Sequence, residues 1–309
     1  MRILIELPTW LGDATMATPA INNLIGYYGN PDVTFLGSSV SIEILKKHLN
    51  TKRTEVIDKN YFSIYTLSKN LGRFDVYFSF RNSFRSKFLK LLISSEKKFE
   101  FHSNEYKNLH LVEKYNNFIN DALGTSFKPG KLKTSLKPKS NPSNTRPLIG
   151  INPGASYGNS KRWYPEEFAK VAITLSDQYD ILIFGGVNER IIAKDIENIL
   201  IKNNILNYSN LAGKTTLSEL AGLITTLDFF ITGDSGPMHL AASFQIPTIS
   251  IFGPTRDNET SQWMNKKNVI LKKNLNCQPC MKRVCPLKHH NCMKLIKAED
   301  VVDAINVLL

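Results

Sequence analysis

The sequence predicts an α/β protein of two Rossmann-like, doubly wound domains facing a cleft. Short apolar or β-branched runs alternate with helical periods along the chain, the sign of parallel sheets with crossover helices. The alternation breaks once, in a stretch rich in proline, lysine, serine and asparagine near the middle. Each half also carries a strand that runs into a glycine-bearing turn and then a helix, and 309 residues are comfortable for two domains of about 150.

In the first half, residues 3–7, 33–36, 54–57 and 76–80 read as strands, with helical patterns near 14–27, 41–48 and 84–94. From Gly124 to Pro147 the pattern stops, and Pro129, Pro138, Pro142 and Pro147 mark an interdomain linker. This sets a first domain over 1–140 and a second over 141–309. Alternation then resumes with strands 148–152, 181–184, 229–232 and 248–252 and helices 166–178, 190–201 and 217–226.

Lysine and arginine number 39 against 27 acidic residues, and the net charge of +12 favours an anionic partner: a phosphorylated substrate, an acidic membrane surface or nucleic acid. No nucleic-acid recognition motif accompanies the charge and the basic residues are dispersed, so no nucleic-acid partner is expected. No apolar stretch reaches the roughly 18 residues needed to cross a bilayer, and Met1 leads straight into a strand without a signal-peptide pattern. The expected location is the cytoplasm. The loop after the first strand, Pro8-Thr9-Trp10-Leu11-Gly12-Asp13, lacks the dinucleotide fingerprint, which argues against a nicotinamide enzyme.

Five groups of residues could carry chemistry. Thr232-Gly233-Asp234-Ser235-Gly236-Pro237-Met238-His239 joins an apolar run to a helical pattern, so backbone N–H groups point outward beside the positive end of a helix macrodipole, where phosphates bind. About 80 residues upstream, 149–155 form a second strand-turn unit ending in Pro153-Gly154-Ala155 and followed by Lys161-Arg162-Trp163; together the two turns suggest one nucleotide-diphosphate site. Asp13, at the head of the helix after the first strand, reads as a helix cap or as a functional carboxylate. Asn82, Ser83 and Arg85, just past the strand 76–80, could build a polar, cationic site for an anionic acceptor, within what is otherwise an ordinary amphipathic helix. All four cysteines, Cys277, Cys280, Cys285 and Cys292, fall near the end with His289 and His290 among them. Ligation of a structural zinc ion or iron–sulfur cluster, disulfides and free thiols all stay open.

Taken in order, these motifs resemble those of the bacterial lipopolysaccharide heptosyltransferases, glycosyltransferase family nine. The likeness rests on Pro8-Thr9-Trp10-Leu11-Gly12-Asp13, Asn82-Ser83-Phe84-Arg85-Ser86, Pro153-Gly154-Ala155 with Lys161-Arg162-Trp163, Asn210-Leu211-Ala212-Gly213-Lys214-Thr215, and Asp234-Ser235-Gly236-Pro237-Met238-His239 followed by Phe252-Gly253-Pro254-Thr255. The resemblance implies the two-domain GT-B arrangement and an inverting transfer of L-glycero-D-manno-heptose from ADP-heptose to the first heptose of Kdo-lipid A. It implies Asp13 as general base, with Trp10, Gly12, Asn82, Ser83 and Arg85 on the acceptor in the first domain. Gly154, Ser156, Lys161, Glu189, Asp234, Ser235, Gly236 and His239 are implied on the donor in the second, with Lys161 opposing leaving-group charge. No Asp-x-Asp triplet occurs, so no metal cofactor is expected in catalysis. The implied partners are ADP-heptose, the anionic heptosyl-Kdo-lipid A acceptor and the inner-leaflet surface, approached peripherally from the cytoplasm, with no obligate protein partner. Sister reactions at other core positions and a non-catalytic nucleotide-binding, membrane-associated protein are the alternatives. Arg81 departs from the family pattern, which often has an apolar residue or proline there, and the cysteine segment occurs in only some members.

Overall fold

The computed structural model describes residues 1–136 and 146–308, in two compact units of which the first ends at Leu136. The domain boundary expected between residues 140 and 141 lies outside the described residues. In unit 1 the elements are β1 (Arg2–Glu6), α1 (Leu11–Tyr27), β2 (Asp32–Gly37), α2 (Ser39–Leu45), β3 (Thr51–Val56), α3 (Tyr61–Leu71), β4 (Arg73–Ser79), α4 (Phe84–Leu92), β5 (Ser94–Glu100) and α5 (Leu111–Leu123). The strands pair in parallel in the order β3-β2-β1-β4-β5. Winding reverses between β1 and β4, so the loops leaving these strands diverge and open a crevice at their carboxyl ends.

Ile3, Leu4 and Ile5 of β1 are wholly buried because helices cover both faces of the sheet. Helix α1 is buried continuously from Ala14 to Ala20, where small side chains let it pack closely, and it lies against α2 and α5. Helix α5 opens with a capping box: the His110 ring accepts from the Val112 N–H (3.2 Å) and the Glu113 carboxylate accepts from the His110 N–H (3.0 Å).

The stretch expected as a free linker from Gly124 is instead part of unit 1 as far as Leu136. Leu132 and Leu136 are buried, the Lys133 N–H donates to Thr18 Oγ1 (3.0 Å), and the Ser135 N–H donates to the Ile44 carbonyl (2.7 Å). Its apolar side chains hold it down although it forms no helix or strand.

Unit 2 contains β6 (Leu148–Asn152), α6 (Pro165–Leu175), β7 (Asp180–Ile183), α7 (Arg190–Lys202), β8 (Tyr208–Asn210), α8 (Leu217–Ile224), β9 (Phe229–Gly233), α9 (Gly236–Ser243), β10 (Thr248–Ile251), α10 (Asp257–Thr260), β11 (Asn268–Leu271), α11 (Asn291–Lys294) and α12 (Ala298–Leu308). Its parallel sheet has the order β11-β10-β9-β6-β7-β8, reversing between β6 and β9. The Trp163 indole packs edge-on against Phe168 at 4.7 Å and donates to the Ile296 carbonyl at 3.0 Å, which ties α6 to the segment before α12. Gly150 in β6 has no room for a side chain, since a Cβ would come within 2.9 Å of Leu227, Phe230 and Phe184. Among the described residues no helix is long and apolar enough to cross a membrane.

Candidate functional site

In unit 1 the chain leaves β1 through Leu7, Pro8 and Thr9 and enters α1, whose capping position is Trp10 in an extended conformation. Trp10 makes no side-chain cap, and Asp13 lies in the first helical turn. The capping reading of Asp13 is therefore corrected: it is a first-turn carboxylate, favoured there by the helix macrodipole. A pocket of about 630 Å³ opens at this point, lined among others by Trp10, Asp13, Arg81, Asn82, Ser83 and Tyr115. The Tyr115 phenol is pushed well above its ordinary pKa, by burial first and then by the Asp13 charge.

Asn82 is within 2.8 Å of His102 Nδ1, and Ser83 caps α4 by accepting from the Ser86 N–H at 3.1 Å. Gly12 and Arg85 are not among the residues that line the pocket; Gly12 is buried and Arg85 sits on α4.

One residue at this reversal point is absent from the sequence reading. Glu6, the last residue of β1, is 1% exposed, and its Oε2 accepts from Tyr77 Oη (2.6 Å), Ser79 Oγ (2.7 Å) and Ser86 Oγ (2.6 Å). Its Oε1 lies 3.3 Å from Arg81 Nη1. Burial, and next the Glu6 charge, push the Tyr77 phenol well above the usual range. An alternation argument could have found it, because residue 6 shares the face of Leu4 in a strand covered on both sides.

In unit 2 the reversal point joins the loop after β6 to the turn after β9. Asn152 links them: its Nδ2 donates to the Gly154 carbonyl (3.3 Å), Thr232 Oγ1 (3.2 Å) and Ser235 Oγ (3.2 Å). Ser235 makes no side-chain cap on α9, whose first turn holds Gly236, Pro237, which has no N–H, and Met238, whose N–H donates to the Ser235 carbonyl (3.1 Å). Lys161 Nζ sits 2.5 Å from Asp234 Oδ2, which also accepts from Thr255 Oγ1 at 2.6 Å; both charged side chains are largely buried. The Lys161 ammonium also lies 4.8 Å above the Tyr157 ring.

Glu189 reaches back over the β6 loop. Its carboxylate accepts from the Gly186 N–H at 2.6 Å and presses on Gly154, where an added Cβ would fall 2.1 Å from Glu189 Cδ. Unit 2 thus brings together Gly154, Lys161, Glu189, Asp234, Ser235 and Gly236. Ser156 is exposed in the same loop, and His239 is buried inside α9.

The cysteine segment buttresses the loop that carries Lys161. Tyr157 Oη donates to the Met281 carbonyl (2.7 Å), Ser160 Oγ to the Lys282 carbonyl (2.5 Å) and the Ser160 N–H to the Arg283 carbonyl (3.2 Å). All four cysteines, with His289 and His290, line one small cavity of about 20 Å³, and none forms a disulfide. Burial, and then the charges of Cys280, Cys285 and Cys277, push the Cys292 thiol up to about 11. The donor chemistry suits a thiophilic ion, although among the described residues no three of these side chains are arranged to hold one.

Residues 66–291 match the model of glycosyltransferase family 9 (heptosyltransferase). The chain is 42% identical to the lipooligosaccharide heptosyltransferase 2 of Campylobacter jejuni, over 100% of this chain and 98% of that relative. Its fold matches a glycosyl transferase family 9 structure from Veillonella parvula with a TM-score of 0.85 at 20% identity, covering 99% and 96% of the two chains. It also matches the structure of E. coli ADP-heptose lps heptosyltransferase II with a TM-score of 0.78 at 20% identity, covering 100% and 98%. The expected α/β class with two parallel sheets, and its GT-B-like kinship, hold.

Proposed function

The chain belongs to glycosyltransferase family 9, the heptosyltransferases, and on that premise we propose that it moves L-glycero-D-manno-heptose from ADP-heptose to the first heptose of an anionic Kdo-lipid A inner core, as a heptosyltransferase II. The observation that carries this reading is the 42% identity spanning the whole chain to a relative of that name. The two reversal-point sites support it. In unit 1, Asp13 takes the proton of an acceptor hydroxyl while that oxygen attacks the anomeric carbon. The bond to ADP breaks on the opposite face, its electron pair leaves with the diphosphate, and the configuration inverts.

In unit 2, Lys161 and the N–H groups of Ser235 and Gly236 oppose the charge that develops on the diphosphate, which needs no bridging divalent ion. Asp234 holds Lys161 in place and accepts from donor-sugar hydroxyls. Ser156 reaches the diphosphate, and Glu189, beside Gly154, takes the adenosine ribose. Trp10, Asn82 and Ser83, which line the pocket, bind the acceptor together with Gly12 and Arg85. His239 supports the turn from within α9. A structural zinc ion or iron–sulfur cluster on Cys277, Cys280, Cys285 and Cys292 would require these side chains to draw together from their present arrangement, and would brace the Lys161 loop without taking part in transfer; metal analysis of the purified protein tests this, and full thiol titration with no bound metal would overturn it.

The acceptor is presented at the inner leaflet, and the outer faces of α3 and α4 suit contact with it. Phe62, Phe84 and Leu91 are 74%, 86% and 81% exposed there, Tyr61 packs edge-on against Phe88, and Lys69 and Lys87 are exposed on the same helices. High salt should therefore weaken acceptor binding more than donor binding, and equal loss of both would count against the surface.

The deciding experiment is transfer from ADP-heptose to mono-heptosylated Kdo-lipid A in EDTA, comparing wild type with Asp13→Asn. Turnover that survives EDTA and falls by about 10²–10⁴ in the variant is expected. Turnover only on the acceptor lacking heptose would move the assignment to heptosyltransferase I, and silence on both acceptors would overturn it.

A further inference from the structure

Arg81 is the only lysine or arginine among the residues that line the unit 1 pocket, where Asp13 and Glu105 both bring negative charge. An anionic acceptor entering such a pocket meets this guanidinium as the one lysine or arginine group in the lining. The placement of that cation is built into the sheet. Glu6 is fixed by three hydroxyl donors on one oxygen, and its other oxygen faces the guanidinium. The backbone is held as well, because the Arg81 N–H donates to Ser79 Oγ (3.2 Å).

A guanidinium carries five donors in a planar fork. The Glu6 contact uses one edge, and no other side chain among the described residues pairs with the rest. We propose that Arg81, oriented by Glu6, reads an anionic group of the acceptor, a sugar-acid carboxylate or a phosphate, so that Glu6 acts as a positioning residue and Arg81 as a specificity determinant of the pocket. The acceptor part of this rests on the heptosyltransferase reading. Holding the side chain by an ion pair removes the rotamer freedom that a solvated arginine would lose on binding.

Binding of the deacylated inner-core oligosaccharide is measured by calorimetry without donor, so that the outcome does not depend on transfer. Arg81→Gln is expected to weaken binding by about 10- to 100-fold, the range of a charge-assisted hydrogen bond. ADP binding stays unchanged. Arg81→Lys, which keeps the charge and loses the fork, falls between. Carboxyl-reduced and dephosphorylated oligosaccharides identify the anion: the oligosaccharide lacking the group that Arg81 reads binds wild type weakly and loses nothing further in Arg81→Gln.

Glu6→Gln should reproduce part of the loss on the anionic ligand and none on the matched neutral one, a selectivity that mere loosening of the fold would not give. If Arg81→Gln does not fold because Glu6 is left without its cation, the double variant Glu6→Gln/Arg81→Gln removes both charges and carries the same expectation. Equal losses on charged and neutral ligands, or no binding of either by wild type, would overturn the proposal. Transfer activity with unchanged acceptor affinity in Arg81→Gln would overturn it while leaving the heptosyltransferase reading intact.

Discussion

In unit 1 the reversal point is built around a carboxylate that belongs to the sheet itself, Glu6, whereas in unit 2 the carboxylate, Asp234, stands just beyond the strand in the turn. Glu6 spends one oxygen on three hydroxyls and meets a guanidinium with the other. Asp234 gathers an ammonium and a hydroxyl on a single oxygen. A guanidinium held at one edge still shows a directional fork, while an ammonium is a compact point charge. The same winding of strands thus presents two different cations, a directional fork in unit 1 and a compact point charge in unit 2.

Removing the ammonium tests the comparison most severely. Lys161→Ala leaves Asp234, 5% exposed, without its cation, and truncating one partner of a buried pair costs about 3–5 kcal/mol. Loss of ADP binding and a lowered denaturant midpoint are expected. Lys161→Met/Asp234→Asn should recover stability without recovering ADP binding; recovery of both would mean that the pair is structural only. A smaller effect follows at the glycine under Glu189. Gly154→Ala places a methyl where the Glu189 carboxylate lies, and overpacking of this kind costs about 1–3 kcal/mol. It should lower ADP affinity while leaving binding to the unit 1 pocket unchanged, so an equal loss at both sites would show that they are not independent.

The smallest effect concerns thiol reactivity. In protein stripped of metal, with its thiol pushed up to about 11, Cys292 is ionised to roughly a thousandth at pH 8. Its alkylation should lag behind that of Cys277, Cys280 and Cys285 and accelerate as pH rises towards 11, a sequence readable by mass spectrometry. First modification at Cys292 would contradict the burial on which the shift depends.

The buried strands and the glycine-bearing turns were legible in the sequence because both are local. β1, β6 and β9 are apolar runs, and the turns after them announce themselves by residue type. The elements that were not read have physical reasons. Helix α3 shows Tyr61, Phe62 and Tyr65 to the outside, which inverts the expected apolar stripe. Strand β5 is an edge strand whose Ser-Ser-Glu-Lys-Lys start resembles a loop, so the helix expected through residue 94 ends at Leu92 instead. Helix α5 starts on His110, a residue type outside the usual caps. At the sites, Lys161 and Asp234 were legible as two members of one cluster, but their direct pairing depends on a contact across 73 positions. Glu6 falls inside the expected strand 3–7 with no local signal of a role. Its partners Tyr77, Ser79 and Ser86 lie 71 to 80 positions away, and only the pairing of β1 with β4 brings them together.

Helix α1 has one more implication. Its segment from Ala14 to Ala20 is buried throughout, and the helix packs against α2 and α5. Exposing its amide N–H groups, which Pro19 lacks, requires the layers of unit 1 to part, so they belong with the slowest-exchanging hydrogens of the unit, protected by close to its full unfolding free energy. Asp13 stands directly ahead of that segment. Adjustment of the pocket to a ligand is therefore expected at its rim, the exposed Trp10 and the residues after Phe101, with the Asp13 carboxylate held by the buried helix behind it.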